Sequence, residues 1–130
     1  MKRFIMPLIA ATVLAAGAAN AGGNWSLVEQ FGIGNAQGTI QNGNYNGAYT
    51  GQVGGQIGGH GVPGGFNGSL TMQTGVGNFS ATNQWGGGNL SITDQLGVVN
   101  SSATMQLGVG HEAETIQHGI GNTSMTVQSN

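Results

Sequence analysis

No cysteine occurs in the 130 residues. An exported chain of this size therefore lacks the disulfides that small secreted domains use to offset a small core, and another device must hold it together. Basic residues are almost as scarce, Lys2 and Arg3 being the only two. They open the stretch MKRFIMPLIAATVLAAGAANA, whose apolar middle and small-residue end at Ala19-Asn20-Ala21 have the layout of a secretory signal peptide, with cleavage expected after Ala21. The apolar part is short and Ala-rich for a membrane span, so no stable membrane insertion is expected after cleavage.

The domain that follows, residues 22–130, carries the acids Glu29, Asp94, Glu112 and Glu114 and no Lys or Arg. A surface without these cations cannot neutralise phosphates, which argues against nucleic acid and anionic membranes as partners. So few charges also leave little repulsion between copies, which favours self-association. Proline is confined to Pro7 and Pro63, whereas glycine is abundant, at 27 residues. Such a composition fits disorder, collagen or a repeat architecture; glycine at every third place is missing, which removes collagen.

The repeat is present. Gln30, Gln41, Gln52, Gln73, Gln84, Gln95, Gln106, Gln117 and Gln128 stand eleven residues apart, except for one step of 21 between Gln52 and Gln73. Glycine follows two places after most of them, at Gly32, Gly43, Gly75, Gly86, Gly97, Gly108 and Gly119. Asparagine follows five places after, at Asn35, Asn46, Asn78, Asn89, Asn100 and Asn122, with His111 as the exception; Asn67 takes the same place before Gln73.

Eleven-residue helical repeats need good helix formers, and Gly, Asn, Ser and Thr are poor ones. The segments from Asn to Gln, such as NLSITDQ and NTSMTVQ, instead alternate in twos and are rich in Thr and large apolar residues, which marks strands of about six or seven residues. The x-G-x-G after each Gln is turn chemistry, because Gly accepts positive φ and Asn tolerates it. Two units form a 22-residue strand-turn-strand-turn rung, and rungs stacked about 4.7–4.9 Å apart form a β-solenoid. Pairing Gln30 with Gln41, Gln52 with a degenerate partner, Gln73 with Gln84, Gln95 with Gln106 and Gln117 with Gln128 predicts about five rungs, roughly 20–25 Å tall. The degenerate Gly-rich half-repeat covers about 53–66 and reads as a loop or frayed strand, since Pro63 stands near the missing Gln and cannot donate to a sheet ladder. The fold class is thus all-β, a solenoid of cross-β type.

Which face is inside is a contest between two terms. Counting back from each Gln, one face is nearly constant, as in Asn89, Ser91, Thr93, Gln95 and Asn122, Ser124, Thr126, Gln128; the other varies, as in Leu90, Ile92, Asp94 and Glu112, Glu114, Ile116. Apolar burial favours the variable face inward. That choice also buries Asp94, Glu112 and Glu114 with no Lys or Arg to pair them, at several kcal/mol each. The constant face inward stacks identical amides and hydroxyls rung on rung, where they are expected to satisfy one another along the axis. The polar face is therefore expected inside, leaving the apolar residues as an association surface. The reverse arrangement would instead present a flat outer Ser-x-Thr array suited to ice or polysaccharide on a soluble solenoid.

These residues resemble the curlin repeat of curli fimbriae, the secreted bacterial amyloid of biofilm matrix. The family pattern is Gln, Gly two on, Asn five on, Ala seven on and Gln eleven on. Gln41-Gly43-Asn46-Ala48-Gln52 matches it in full, and Gln73-Gly75-Asn78-Ser80-Gln84 and Gln95-Gly97-Asn100-Ser102-Gln106 match it with Ser for Ala. The resemblance implies an extracellular, fimbrial structural subunit of a Gram-negative bacterium, exported through the periplasm. Its partners would be further copies of itself, a nucleator curlin and the curli export machinery. The nucleator carries basic residues in its repeats and this domain has none, so a major subunit is implied, with a minor subunit as the alternative.

No catalyst is expected. His60, His111 and His118 lack metal-like spacing with a carboxylate cluster, Glu112 and Glu114 have no nucleophile or partner acid, and the turns lack the Asp of calcium-binding β-helix repeats. The two glutamates read as charges that limit premature aggregation. No cofactor or metal is expected.

Overall fold

The computed structural model describes residues 22–32, 34–54 and 66–130. The expected signal peptide, His60, Pro63 and most of the expected half-repeat at 53–66 lie outside them. Within them are nine strands: β1 (Trp25–Phe31), β2 (Ala36–Asn44), β3 (Gly47–Val53), β4 (Gly68–Val76), β5 (Phe79–Gly87), β6 (Leu90–Val98), β7 (Ser101–Val109), β8 (Glu112–Ile120) and β9 (Thr123–Ser129). Odd strands form one parallel sheet, in the order β1-β3-β5-β7-β9, and even strands the other, β2-β4-β6-β8. The chain winds from sheet to sheet at every turn, and each strand hydrogen-bonds the strand two places on.

The winding is a β-solenoid of four two-strand turns plus a ninth strand. Its rungs pair differently from the sequence grouping. Gln52 on β3 shares a turn with Gln73 on β4, because β4 pairs directly with β2 and no strand stands between them. Gln84 then goes with Gln95, and Gln106 with Gln117. The 21-residue step therefore falls on the β3–β4 connection, within one turn of the winding.

Register follows from the repeat. Gln30 pairs with Gln52, Gln52 with Gln84 and Gln84 with Gln106, while Ser91 stands on Ser69 and Thr93 on Thr71. A slip of one residue would turn every side chain to the opposite face, so the alternation itself fixes the pairing.

The polar face is inside. Ser91 and Thr93 are each 1% exposed, whereas Ile116 is 60% exposed on the outer face. The outward Ser-x-Thr array needed for a surface-binding solenoid is therefore ruled out. Among the described residues the buried apolar side chains are Ala48 and Ala113 only; the largest fully buried side chains are glutamines and asparagines.

One expectation about that interior fails. The hydroxyls of Thr50, Ser69, Thr71, Ser80, Thr93, Ser102 and Thr104 are buried with no hydrogen-bond partner. The reason is geometric. Rungs stand about 4.7–4.9 Å apart, well beyond the hydrogen-bond reach of one oxygen stacked on another. A carboxamide closes that distance because its donor and acceptor lie on opposite sides of one carbon.

Arcs between strands depend on two left-handed positions. At Gly97, φ is 133°, and an added Cβ would lie 1.9 Å from the carbonyl oxygen of Gly119 in the next arc, so both backbone and space require glycine. Two places further on, the column of left-handed glycines is interrupted by Tyr45 (φ 58°) and Val99 (φ 56°). A β-branched residue is strained there. Val99→Gly should stabilise the unassembled chain by about 1 kcal/mol, read as a higher urea midpoint at unchanged slope; a lower midpoint would show that the valine is at ease. Ser102→Ala removes an unpartnered buried hydroxyl at a place where β3 and β8 already carry Ala48 and Ala113. It should likewise raise the midpoint, by about 1 kcal/mol.

Candidate functional site: the carboxamide ladders

Each of the nine glutamines in the repeat frame sits in the second half of its strand and points inward. In the odd sheet, Gln30 Nε2 donates to Gln52 Oε1 at 2.7 Å, Gln52 to Gln84 at 2.7 Å, Gln84 to Gln106 at 2.8 Å and Gln106 to Gln128 at 2.9 Å. In the even sheet, Gln41 donates to Gln73, Gln73 to Gln95 and Gln95 to Gln117, all at 2.8 Å. Every bond runs in one direction, donor below and acceptor above, so each ladder is polar along the solenoid axis.

The second N–H of each of these amides except that of Gln30 crosses to the other sheet. Gln41 donates to the carbonyl of Trp25, Gln52 to Ala36, Gln73 to Gly47 and Gln84 to Gly68. Gln95, Gln106, Gln117 and Gln128 continue to Phe79, Leu90, Ser101 and Glu112. The acceptor is always the first residue of the strand before it in the winding, so the glutamines both stack the rungs and tie the sheets together.

The asparagines do the same for the arcs. Asn78 Oδ1 accepts from the backbone N–H of Asn100 at 3.1 Å, and Asn78 Nδ2 donates to the carbonyls of Thr74 at 3.2 Å and Gly97 at 3.1 Å. Asn46, Asn89 and Asn100 repeat the pattern, and Asn122 keeps the contact within its own arc, to His118 at 3.0 Å. Across the long connection the contact is looser: Asn67 Nδ2 donates to Asn35 Oδ1 at 3.3 Å, and Asn35 itself reaches Phe31.

At the exception, His111 Nε2 lies 3.1 Å from the carbonyl of Leu107, four residues back, where an asparagine would place its amide nitrogen. A carbonyl can only accept, so Nε2 donates to it, as the amide nitrogen of an asparagine does in the other arcs. The His111 N–H in turn donates to Asn89 Oδ1 at 3.1 Å.

Two residues of this system escaped the sequence reading. Asn24 starts the first arc, its Oδ1 accepting from Asn46 N–H at 2.9 Å. It stands six residues before Gln30, as Asn35 stands before Gln41, so the spacing could have found it. Asn130 occupies a glycine place in the frame, and its Oδ1 accepts from Val109 N–H at 3.1 Å.

The outer faces are apolar and lightly charged. Trp25 and Phe79 approach across Gly47 with ring centroids 6.0 Å apart, which covers that glycine's bare backbone. Glu112 lies beside Leu90, Glu114 beside Ile92 and Asp94 between Met72 and Ile116, so no acid has another acid directly above or below it. Tyr49 donates to Glu29 Oε2 at 3.2 Å. Desolvation, followed by that hydrogen bond and the carboxylate's charge, raises its phenol above the usual value, so the small stabilisation it gives is present below about pH 10 and lost in stronger alkali.

Compared with known proteins, the chain matches no family model, no curated protein and no solved structure.

A buried ladder amide tolerates no charge. Gln95→Glu removes two donors and places a carboxylate between Gln73 and Gln117. The variant should lose about 3 kcal/mol or more at pH 7. The carboxyl's folded value will be raised, so the loss should shrink in acid as the group takes up a proton. Denaturant curves at pH 7 and pH 4 check this, and equal losses at both would refute the ladder's role.

Proposed function

We propose that this chain is the structural subunit of an extracellular fibre of the curli type, growing by addition of one solenoid to the end of another. The observation that carries the reading is the open, directional ladder. Gln117 and Gln128 donate across the sheets but, among the described residues, have no glutamine above them. At the other end, no described donor reaches the side-chain oxygens of Gln30 and Gln41. Among the described residues the backbone edges of β1, β2, β8 and β9 have no strand paired on their outer sides, and such edges are templates for further strands. One end of the molecule offers donors and the other acceptors, in the register the repeat already uses.

The outer faces support the same reading. Trp85, Leu96, Ile116, Met125 and other large apolar side chains are exposed in rows along the axis, a surface suited to lateral contact between fibres and to adhesion in a biofilm matrix. The role is then mechanical rather than catalytic. Secretion through the periplasm, and a nucleator that presents the first edge, complete the proposal.

Purified chain beginning at Gly22 should remain soluble through a lag, then form dye-binding fibres with a diffraction spacing of about 4.7–4.8 Å along the axis. Preformed seeds should abolish the lag. A solution that stays monomeric for days, with or without seeds, would overturn the proposal.

A further inference from the structure

Resting on that fibre reading, we infer that successive copies are turned by half a revolution about the fibre axis, so that β1 of the incoming copy adds to β8 and its β2 adds to β9. Strand number forces this. Among the described residues nine strands alternate between two sheets, and the last of them, β9, lies in the odd sheet. The next strand of an unbroken winding belongs above β8, in the even sheet. Without the half-turn, β1 of the new copy would sit on β9, and its β2 would stand two rungs above β8, leaving a strand-wide gap.

Three amide bonds left open in the single copy are completed by the half-turn. Gln117 would donate to Gln30 Oε1 of the incoming copy, and Gln128 to its Gln41 Oε1. Gln30 alone makes the ladder bond but no described cross-sheet bond. Its acceptor should be the first residue of the preceding strand, and in the turned arrangement that is Thr123 of the copy below. Without the turn, only Gln128 finds a partner.

The arcs agree. Asn130 lies over the arc between β7 and β8, its N–H donating to the carbonyl of Leu107. Gly22, Gly23 and Asn24 form the end of an arc, with the Gly22 carbonyl accepting from Tyr45 N–H. After cleavage at Ala21, a turned copy brings these halves together over the same arc. Between Gln128 and the incoming Asn24 stand Ser129, Asn130, Gly22 and Gly23, four residues, as Leu96, Gly97, Val98 and Val99 stand between Gln95 and Asn100. Asn24 N–H then comes above His111, which stands where the other arcs carry asparagine.

The absence of cysteine makes the test direct. In the turned junction Leu27 neighbours Glu114 of the copy below; in the unturned one it neighbours Met125. Adjacent parallel strands stand about 5 Å apart, within disulfide range. Chains carrying Leu27→Cys are mixed in equal amounts with chains carrying either Glu114→Cys or Met125→Cys, assembled under reductant and then oxidised. Dimers should form in high yield with Glu114→Cys and hardly at all with Met125→Cys. The opposite yields would overturn the half-turn while leaving end-to-end growth standing. Fibres that give dimers with neither would refute the junction, and wild-type chains that give no fibres would refute the fibre reading itself. Helical reconstruction of wild-type fibres gives a second measurement that needs no variant. It should show a rise of about 21–22 Å per copy with a rotation near 180°, against about 24 Å with no rotation in the alternative.

Discussion

The structure depends on a match of lengths: a side-chain amide, donating at one side and accepting at the other, fits the spacing between hydrogen-bonded strands. Made seven times between glutamines of the described residues, this bond lets a chain without disulfides and with hardly any buried apolar side chain hold two sheets together. Amide bonds within such a stack polarise one another, and their isolation from water strengthens each of them. Parallel in-register pairing is what permits it, since only that pairing sets glutamine on glutamine all the way along.

The consequence is an inverted molecule. Large apolar side chains, excluded from the narrow interior, line the outside, where in a lone copy they gain little from burial. In the proposed fibre their contribution would come where fibres or surfaces meet them. The three acids of the even sheet are placed so that each lies against apolar neighbours along the axis, as Glu114 lies beside Ile92. They keep a solvated charge on the even sheet without the repulsion that a column of stacked carboxylates would suffer. The odd sheet carries only Glu29 among its strands, so the two outer faces differ in how readily they will associate.

Much of this was legible in the residues because the period is strict. Eleven-residue spacing fixed strand, arc and register together, and the lack of any Lys or Arg beyond Arg3 decided which face could be inside. What was not legible has physical causes. Strand pairing across the 21-residue step depends on whether the extra length forms a strand or lengthens a turn, and composition alone does not decide between them. The hydroxyls of Ser80 and Thr93 look like ladder members because they recur as faithfully as the glutamines do. A hydroxyl has one oxygen where an amide has two separated polar atoms, and recurrence does not reveal reach. Val99 and Tyr45 broke the turn column without breaking the turn, since the surrounding arcs hold them in a left-handed conformation they would not choose.

Because the ladder is directional, its two ends cannot satisfy themselves. Two donor ends brought together oppose N–H to N–H, and two acceptor ends oppose oxygen to oxygen, so a closed two-fold dimer through either end is disfavoured. A donor end meeting an acceptor end removes one open edge from each copy and leaves one on each outer side. Growth by this contact therefore never uses up its own sites. A cap would have to break the repeat at a terminal rung, and the departures among the last described strands, His111 and Asn130, still bond the arc beneath, His111 N–H donating to Asn89 Oδ1 and Asn130 N–H to the Leu107 carbonyl.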